Sequence, residues 1–277
     1  MLVERLLGAD WFSRGLAKLS WPANQELLAW LCVVEAFARP YVARRVIRWT
    51  RAQPGDARVR LALSVAANHG RFLAKELLLT GGGRAAALER CRFQGLEHLD
   101  HTPAGALLLG FHLGPPVVPL ALHIRGYPLH VWGGVRIDPR RGATWARFLA
   151  PGEDPFIRVS GGHAVANLHR ARQLLLEGKR VFVPVDGKGQ PAFVIPTPAR
   201  AVALTTGWLA LRRHARPTSL PVIAHRDGPQ VVVTVYPPLP AVDPDPERDL
   251  WVCRDRLSAI VREFASRLPA QCRPPLF

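Results

Sequence analysis

The feature that most constrains the fold of this chain is a change in residue pattern at about residue 91. Beyond that point, short unbroken apolar runs such as residues 106–111 and 180–185 alternate with segments whose apolar residues recur at helical spacing. Short apolar runs between helices are typical of strands buried on both faces of a sheet. The sequence therefore predicts an α/β fold with a mixed central sheet flanked by helices, preceded by an N-terminal helical region.

The same patterns assign individual elements. Strands are predicted at residues 106–111, 129–132, 180–185, 192–195, 220–224 and 231–236. Helices are predicted at residues 115–124, 163–177, 199–214 and 247–268, the first with Pro115 and Pro116 in its first turn. The helix at 199–214 has a basic end, where positive charge complements the helix dipole; its residues are Arg212, Arg213, His214 and Arg216.

Residues 1–90 are predicted to be a helical, membrane-associating region, and residues 91–277 an α/β domain. Helical spacing runs through residues 16–38, 42–49 and 59–79. The region interleaves Trp and Phe with Arg, which suits the headgroup layer of a membrane, although the same rings also suit the core of a helical cap. The most apolar run, residues 27–38, is broken by Glu35 and is shorter than the ~20 residues that span a bilayer. Peripheral association is therefore expected.

The chain is strongly basic. Its formal net charge of +16 comes from 37 Lys and Arg against 21 Asp and Glu. Such a charge favours an anionic partner, whether nucleic acid, an anionic lipid surface or an acidic carrier protein. No ribonucleoprotein motif, helix-turn-helix or zinc-finger spacing occurs, so nucleic acid is not the expected partner.

Cysteine usage and the first residues indicate the compartment. The four cysteines have neither the C-x2-C spacing of a zinc site nor the density of a disulfide scaffold. Acidic residues at positions 4 and 10 do not fit the basic start of a signal peptide. A reducing, cytosolic setting is expected.

Two titratable residues follow predicted strands directly. His112 comes after the run at 106–111, and Asp186 comes after the run at 180–185. Open α/β sheets bind their ligands at the carboxyl ends of strands. A neutral histidine there can take a proton from a hydroxyl nucleophile, although a single histidine at a strand end is more often structural.

Four sequence blocks widen this pattern. The first is CRFQGLEHLDHTPAGALLLGFHLGPP, with Gly95, Glu97, His112 and Gly114, and the second is PLHVWGGVRIDP, with Arg136. The third is ARQLLLEGKRVFVPVDGKG, with Gly178 and Asp186, and the fourth is VIPTPARAVALTTGWLALRRHARPTSLPVI, with Pro198, Thr205, Gly207 and Pro221. In order and distance they resemble the bacterial lipid A biosynthesis late acyltransferase family, a branch of the lysophospholipid acyltransferase superfamily, over about residues 55–270.

The resemblance implies transfer of a fatty acyl chain from an acyl carrier protein or coenzyme A thioester to a hydroxyl of a lipid or glycolipid acceptor. It also implies a peripheral position at the cytoplasmic face of the inner membrane, with no metal or redox cofactor. His112 and Asp186 are then the candidate catalytic residues. Gly114, Arg136, Gly187 and Arg200 are the candidate substrate-binding residues.

The chain departs from the family pattern at its central motif. The family has H-x4-D/E, in which the carboxylate orients the histidine, but counting from His112 arrives at Val117. Either Asp186, Glu153 or Asp138 supplies the carboxylate from elsewhere, or the protein is an inactive family member that binds lipid or acts as a scaffold. The family's "P-e-q" segment and aromatic tail are also altered, since this chain ends PAQCRPPLF.

Overall fold

The computed structural model describes residues 3, 6, 9–39, 44, 55–73, 83–102, 105–133, 148–149, 151, 153–158, 164–186, 190–197 and 201–272. The strands in these ranges are β1 (Cys91–Gln94), β2 (Ala106–Gly110), β3 (His130–Gly133), β4 (Phe156–Arg158), β5 (Val181–Pro184), β6 (Pro191–Pro196), β7 (Ala201–Thr205), β8 (Thr218–Asp227) and β9 (Gln230–Val235). The helices are α1 (Asp10–Ala17), α2 (Trp21–Ala38), α3 (Gly55–Leu73), α4 (Gly83–Glu89), α5 (Glu97–Asp100), α6 (Val118–Arg125), α7 (Ala164–Leu176), α8 (Gly207–Ala215) and α9 (Pro246–Arg267). A 3-10 turn, Pro269–Gln271, follows α9.

Seven of the described strands form one mixed sheet in the order β1-β9-β8-β2-β5-β3-β4. The five strands from β8 to β4 are parallel, whereas β9 is antiparallel to β8 and parallel to β1. The other two, β6 and β7, form a separate antiparallel pair. The predicted α/β class, with a mixed central sheet flanked by helices, is confirmed.

Both faces of the sheet are buried. Along β2, Leu107 and Leu109 contribute to one core, which α7, α8 and α9 cover. Leu108 contributes to the opposite core, which α4 and α6 cover. Because helices cover both faces of the sheet, the residues of β2 and β5 are apolar without a break, and polar residues do not alternate with them.

The N-terminal helices pack closely and are tied to the sheet. A Cβ added to Gly70 of α3 would lie 2.1 Å from the Leu28 carbonyl oxygen of α2, so the two helices cross with their backbones in contact. The Trp21 indole and the Gln25 amide of α2 both donate to the Pro229 carbonyl, at 2.7 and 2.8 Å. These bonds anchor α2 to the turn between β8 and β9. The helix predicted at 42–49 lies, except for Arg44, outside the described residues.

The single helix predicted at residues 199–214 is wrong in its first half. Residues 201–205 form β7, which pairs with β6, and the helix begins only at Gly207. Val202 and Leu204 are buried, whereas Ala201 and Ala203 are exposed. This alternation is the period of a strand. Pairing with β6 therefore overrides the helical propensity of the alanines.

The start of α6 also differs from the prediction. The helix begins at Val118 with Pro119 in its first turn, so Pro115 and Pro116 precede it. Val117, the residue reached by counting H-x4-D/E from His112, is buried in the core at the start of this helix.

The basic end of α8 is not entirely solvent-facing, because Arg212 is buried. Its guanidinium donates to the Asp249 carboxylate of α9 at 2.9 Å and to the Pro240 carbonyl at 2.7 Å. The Arg212 and Asp249 side chains are 1% and 2% exposed. Arg212 therefore joins α8 to α9 and does not serve as a surface charge.

None of the described helices combines the length and the apolar character that crossing a membrane requires. The most apolar of them, α2, contains a buried carboxylate at Glu35.

Candidate active site

His112 and Asp186 follow the two central strands at the same offset. β2 ends at Gly110 and β5 at Pro184, and these two residues are partners in the parallel register. The Val185 N–H donates to the Gly110 carbonyl at 2.8 Å, which extends the ladder beyond the strand ends. The register therefore brings His112 and Asp186 side by side at the carboxyl edge of the sheet.

The Asp186 carboxylate contacts both the backbone and the ring of His112. The His112 N–H donates to Oδ1 at 2.8 Å and to Oδ2 at 2.9 Å. Ring Nδ1 lies 2.8 Å from Oδ1. The Asp186 side chain is 2% exposed, whereas that of His112 is 50% exposed. An enclosed carboxylate thus holds a histidine that reaches the surface.

This contact selects one form of the imidazole. A carboxylate only accepts hydrogen bonds, so the proton of neutral His112 lies on Nδ1. The lone pair is then on Nε2, as a general base requires. When Nε2 takes a proton, the imidazolium keeps its charge-assisted bond to Asp186. The pair can therefore accept a proton from a hydroxyl and return it to a leaving group.

A narrow slot holds the loop that follows His112. Gly114 has φ 65°, and a Cβ there would lie 1.9 Å from the Ala224 carbonyl oxygen of β8. On its other side, the Gly114 N–H donates to the Gln271 carbonyl at 2.9 Å. Glycine is required here by both the backbone conformation and the space. This packing accounts for Gly114, and its contact with substrate stays a prediction.

The β6–β7 pair is hydrogen-bonded to the residue immediately before Asp186. Thr205, at the end of β7, donates its N–H and its hydroxyl to the Val185 carbonyl, at 2.7 and 3.1 Å. These two bonds fix the peptide immediately before Asp186. The sequence patterns miss this contact because they assign Thr205 to a helix, where its N–H would bond within that helix.

A second histidine lies near the same loop. The Cα of His225, on β8, is 3.5 Å from the position that a Cβ on Gly114 would take. Burial lowers the pKa of His225; Asp227 opposes this shift, and Arg267 and Arg92 add to it. Burial therefore favours the uncharged form of the His225 ring beside the His112 loop.

The other candidates fall into two groups. Arg136, Asp138, Gly187 and Arg200 lie outside the described residues. Glu153 precedes β4 and influences the pKa of His130 at the amino end of β3, so it lies at the opposite edge of the sheet from His112. Within the described ranges, no group of three or more His, Cys, Asp or Glu side chains is placed to hold a metal ion.

Comparison with known proteins gives no family assignment. No family model matches the chain, and no curated protein sequence matches it. Among solved structures, the chain is similar to the crystal structure of the 1-acyl-sn-glycerophosphate (LPA) acyltransferase PlsC from Thermotoga maritima, with 13% sequence identity and a TM-score of 0.43. The similarity covers 87% of this chain and 96% of that one.

Proposed function

We propose that this protein is an O-acyltransferase that moves a fatty acyl chain from an acyl carrier protein or coenzyme A thioester to a hydroxyl of a lipid or glycolipid. The observation that carries the proposal is the half-exposed His112 ring, bonded through Nδ1 at 2.8 Å to the enclosed Asp186 carboxylate. The pair lies where α/β sheets hold their ligands. The four sequence blocks around it supply the resemblance to the late acyltransferases.

In the proposed reaction, Nε2 of His112 takes the proton of the acceptor hydroxyl as its oxygen attacks the thioester carbonyl. The tetrahedral intermediate collapses, the C–S bond breaks, and the thiolate takes the proton back from the imidazolium. Asp186 stays ionised throughout, keeps the ring in the required tautomer and stabilises its positive charge. The products are an ester and a free thiol, so protons and bonds balance.

Asp186 takes over the task of the carboxylate that the H-x4-D/E motif would supply. Position 117 cannot perform it, because Val117 is an apolar residue in the core beneath α6. Asp186 contacts His112 through one ring bond and two bonds to the backbone N–H. Asp186 therefore fixes the orientation of the His112 ring relative to the His112 backbone, which is the function of an orienting carboxylate.

The exposed face of α2 supports a peripheral position on a membrane. Trp30, Val34 and Phe37 are exposed at 62%, 43% and 70%, and their spacing places them on one side of the helix. Trp11 of α1 is exposed as well. Bulky aromatic side chains of this kind partition into the headgroup layer, and the +16 charge of the chain attracts anionic lipid. We assign this surface to the cytoplasmic face of the inner membrane.

The basic charge also fits the proposed substrates, because acyl carrier proteins and phospholipid headgroups are anionic. Arg136 and Arg200 are assigned to binding the anionic part of the substrate. Gly187, next to Asp186, is assigned to close approach of the substrate to the backbone.

Acyl transfer tests the proposal directly. The full chain is incubated with acyl carrier protein or coenzyme A thioesters and a lysolipid pool, and the products are analysed by mass spectrometry. We expect a new acylated lipid with the wild-type chain and none with His112→Ala. His101→Ala, which removes an exposed histidine of the loop before β2, is the matched control and should keep the activity.

The competing reading is an inactive family member that binds lipid, which the absence of a carboxylate at Val117 favours. Wild-type protein that binds acyl lipid but forms no product and hydrolyses no thioester would establish that reading. The membrane assignment is tested separately by flotation with anionic vesicles. Replacing both Trp30 and Phe37 with Ser should reduce flotation several-fold, whereas Val165→Ser on α7 should not.

A further inference from the structure

The 3-10 turn Pro269–Gln271 lies against the loop that carries His112. The Gln271 carbonyl accepts the N–H of Gly114 at 2.9 Å. The Gln271 side chain also pairs with the backbone of β8: its Oε1 accepts the Arg226 N–H at 2.7 Å, and its Nε2 donates to the Arg226 carbonyl at 2.8 Å. The amide thus bonds to β8 as a neighbouring strand would. The turn is fixed to the sheet, and the loop is fixed to the turn.

The two side-chain bonds of Gln271 depend on its amide. The residue is buried, with 8% of its surface exposed, so water has little access to replace a lost partner. A carboxamide offers a donor and an acceptor at the same distance from the backbone. Glutamate keeps the shape but sets a carboxylate oxygen against the Arg226 carbonyl, and leucine removes both bonds.

The turn is also linked to the N-terminal helices. Asn68 of α3 donates to the Ala270 carbonyl at 3.1 Å and accepts from Arg71 at 3.4 Å. Arg71 binds Glu26 of α2 with two bonds, at 2.9 and 2.7 Å. The Arg226 guanidinium reaches the same Glu26 carboxylate at 3.3 Å. These contacts form a closed ring through α2, α3, the turn and β8.

We infer that Gln271 is a positioning residue for His112, and that it connects the packing of the N-terminal helices to the orientation of the imidazole. The loop that begins at His112 is held at two points. The Asp186 carboxylate binds His112 itself, and the Gln271 carbonyl binds the N–H of Gly114, two residues after His112. Without the second anchor, the loop can turn about the first, and the ring leaves the carboxylate. The catalytic consequence of this role rests on the proposed acyl transfer, whereas the structural consequence does not.

Two measurements test the inference on the full chain. With nitrogen-15-labelled histidine, ring chemical shifts report which nitrogen of His112 carries the proton, and His112→Ala assigns the signals. We expect Nδ1–H in the wild type and a mixture of both tautomers in Gln271→Leu. Acyl-transfer kinetics should show a loss of about tenfold or more in kcat, with KM changed less than about twofold, since the substitution disturbs the orientation of the base and leaves every residue assigned to substrate binding in place.

Two controls separate positioning from loss of stability. Gln173→Leu removes an exposed glutamine on α7 and should change neither readout. Val261→Ala opens the core under α9 and should lower the melting temperature while leaving the tautomer and kcat at wild-type values. Gln271→Glu provides the same test if the leucine variant fails to fold.

The inference is overturned if Gln271→Leu, or Gln271→Glu in its place, retains the wild-type tautomer and kcat, or if Val261→Ala changes them as much. A wild-type chain without acyl transfer would remove the proposed function and leave the tautomer measurement to decide the role of Gln271.

Discussion

Asp186→Asn is the substitution whose effect on the proposed reaction follows most directly from the geometry. The carboxylate accepts three hydrogen bonds from His112, one from the ring and two from the backbone N–H. An amide has one acceptor oxygen and one NH2 group in place of the two carboxylate oxygens. Asparagine therefore fits the same space but cannot satisfy the same donors.

Each orientation of the asparagine amide damages the site in a different way. If its oxygen takes the Oδ1 position, its NH2 group lies about 2.9 Å from the His112 N–H, and two donors face each other. If its NH2 group takes the Oδ1 position, it donates to Nδ1 of His112. The proton then moves to Nε2, and the ring loses its basic lone pair on the exposed side.

The expected loss in kcat is about 10²- to 10⁴-fold, since removing an orienting carboxylate from a base of this kind costs up to ~10⁴. A loss of 10³-fold corresponds to ~4 kcal/mol of transition-state stabilisation. KM should change little, because the Asp186 side chain is 2% exposed and acts through His112.

Steady-state acyl transfer measured over several substrate concentrations separates kcat from KM. Asp255→Asn, on the exposed face of α9, is the matched control and should behave as the wild type. Thermal unfolding of both variants checks that the fold is retained. A folded Asp186→Asn variant with kcat within threefold of the wild type would refute the role given to the carboxylate.

Three further predictions concern stability and use thermal or denaturant unfolding. Arg212→Met should lower the free energy of unfolding by about 3–5 kcal/mol, because it removes the cation that pairs with the buried Asp249 carboxylate and leaves that charge with the Asp243 N–H as a neutral donor. Adding Asp249→Leu should restore most of the loss, and equal losses in the single and double variants would contradict this. Gly114→Ala should lower the free energy of unfolding by at least about 1–3 kcal/mol, since the φ of 65° at position 114 disfavours a side chain. An unchanged melting temperature would contradict the claim that the loop after His112 requires glycine at this position. The hydrogen bond from Arg71 is the main cause that lowers the pKa of Glu26 below its ordinary 4.5. The contribution of this pair to protein stability is therefore complete above pH 4.5, and it is lost as the pH falls through the lowered pKa of Glu26. Arg71→Ala should therefore flatten the acid side of the stability curve, and an identical curve would show that the pair contributes nothing.

The centre of the sheet could be predicted from local sequence. β2 and β5 are unbroken apolar runs, and burial on both faces leaves that pattern in the sequence itself. The final helix, predicted at 247–268, is found at Pro246–Arg267, since Asp245 caps it and Pro246 lies in its first turn.

The edges and the separate hairpin could not be predicted in the same way. β1 and β4 have four and three residues, too few for a period to emerge, and neither is predicted. Residues 201–205 contain two alanines, which favour a helix locally, and only the contact with β6 makes them a strand. Long-range pairing of this kind has no local signal.

The candidate site shows the same division. The positions of His112 and Asp186 at strand ends could be predicted from the sequence. Their contact at 2.8 Å depends on the register between β2 and β5, and no local pattern specifies that register. Gln271 lies in the short segment after the last helix and holds the His112 loop by accepting the N–H of Gly114. The sequence of that segment, PAQ, gives no indication of a partner 157 positions earlier.

The register between β2 and β5 also determines when the pair can exist. An H-x4-D/E motif keeps both groups within a single loop, whereas here the histidine and the carboxylate are 74 positions apart and meet only when two central strands associate. Central strands are generally the last part of a domain to open. Loss of the contact between His112 and Asp186 should therefore coincide with cooperative unfolding of the whole sheet. During refolding, this contact can form only after β2 and β5, which are far apart in the sequence, have paired.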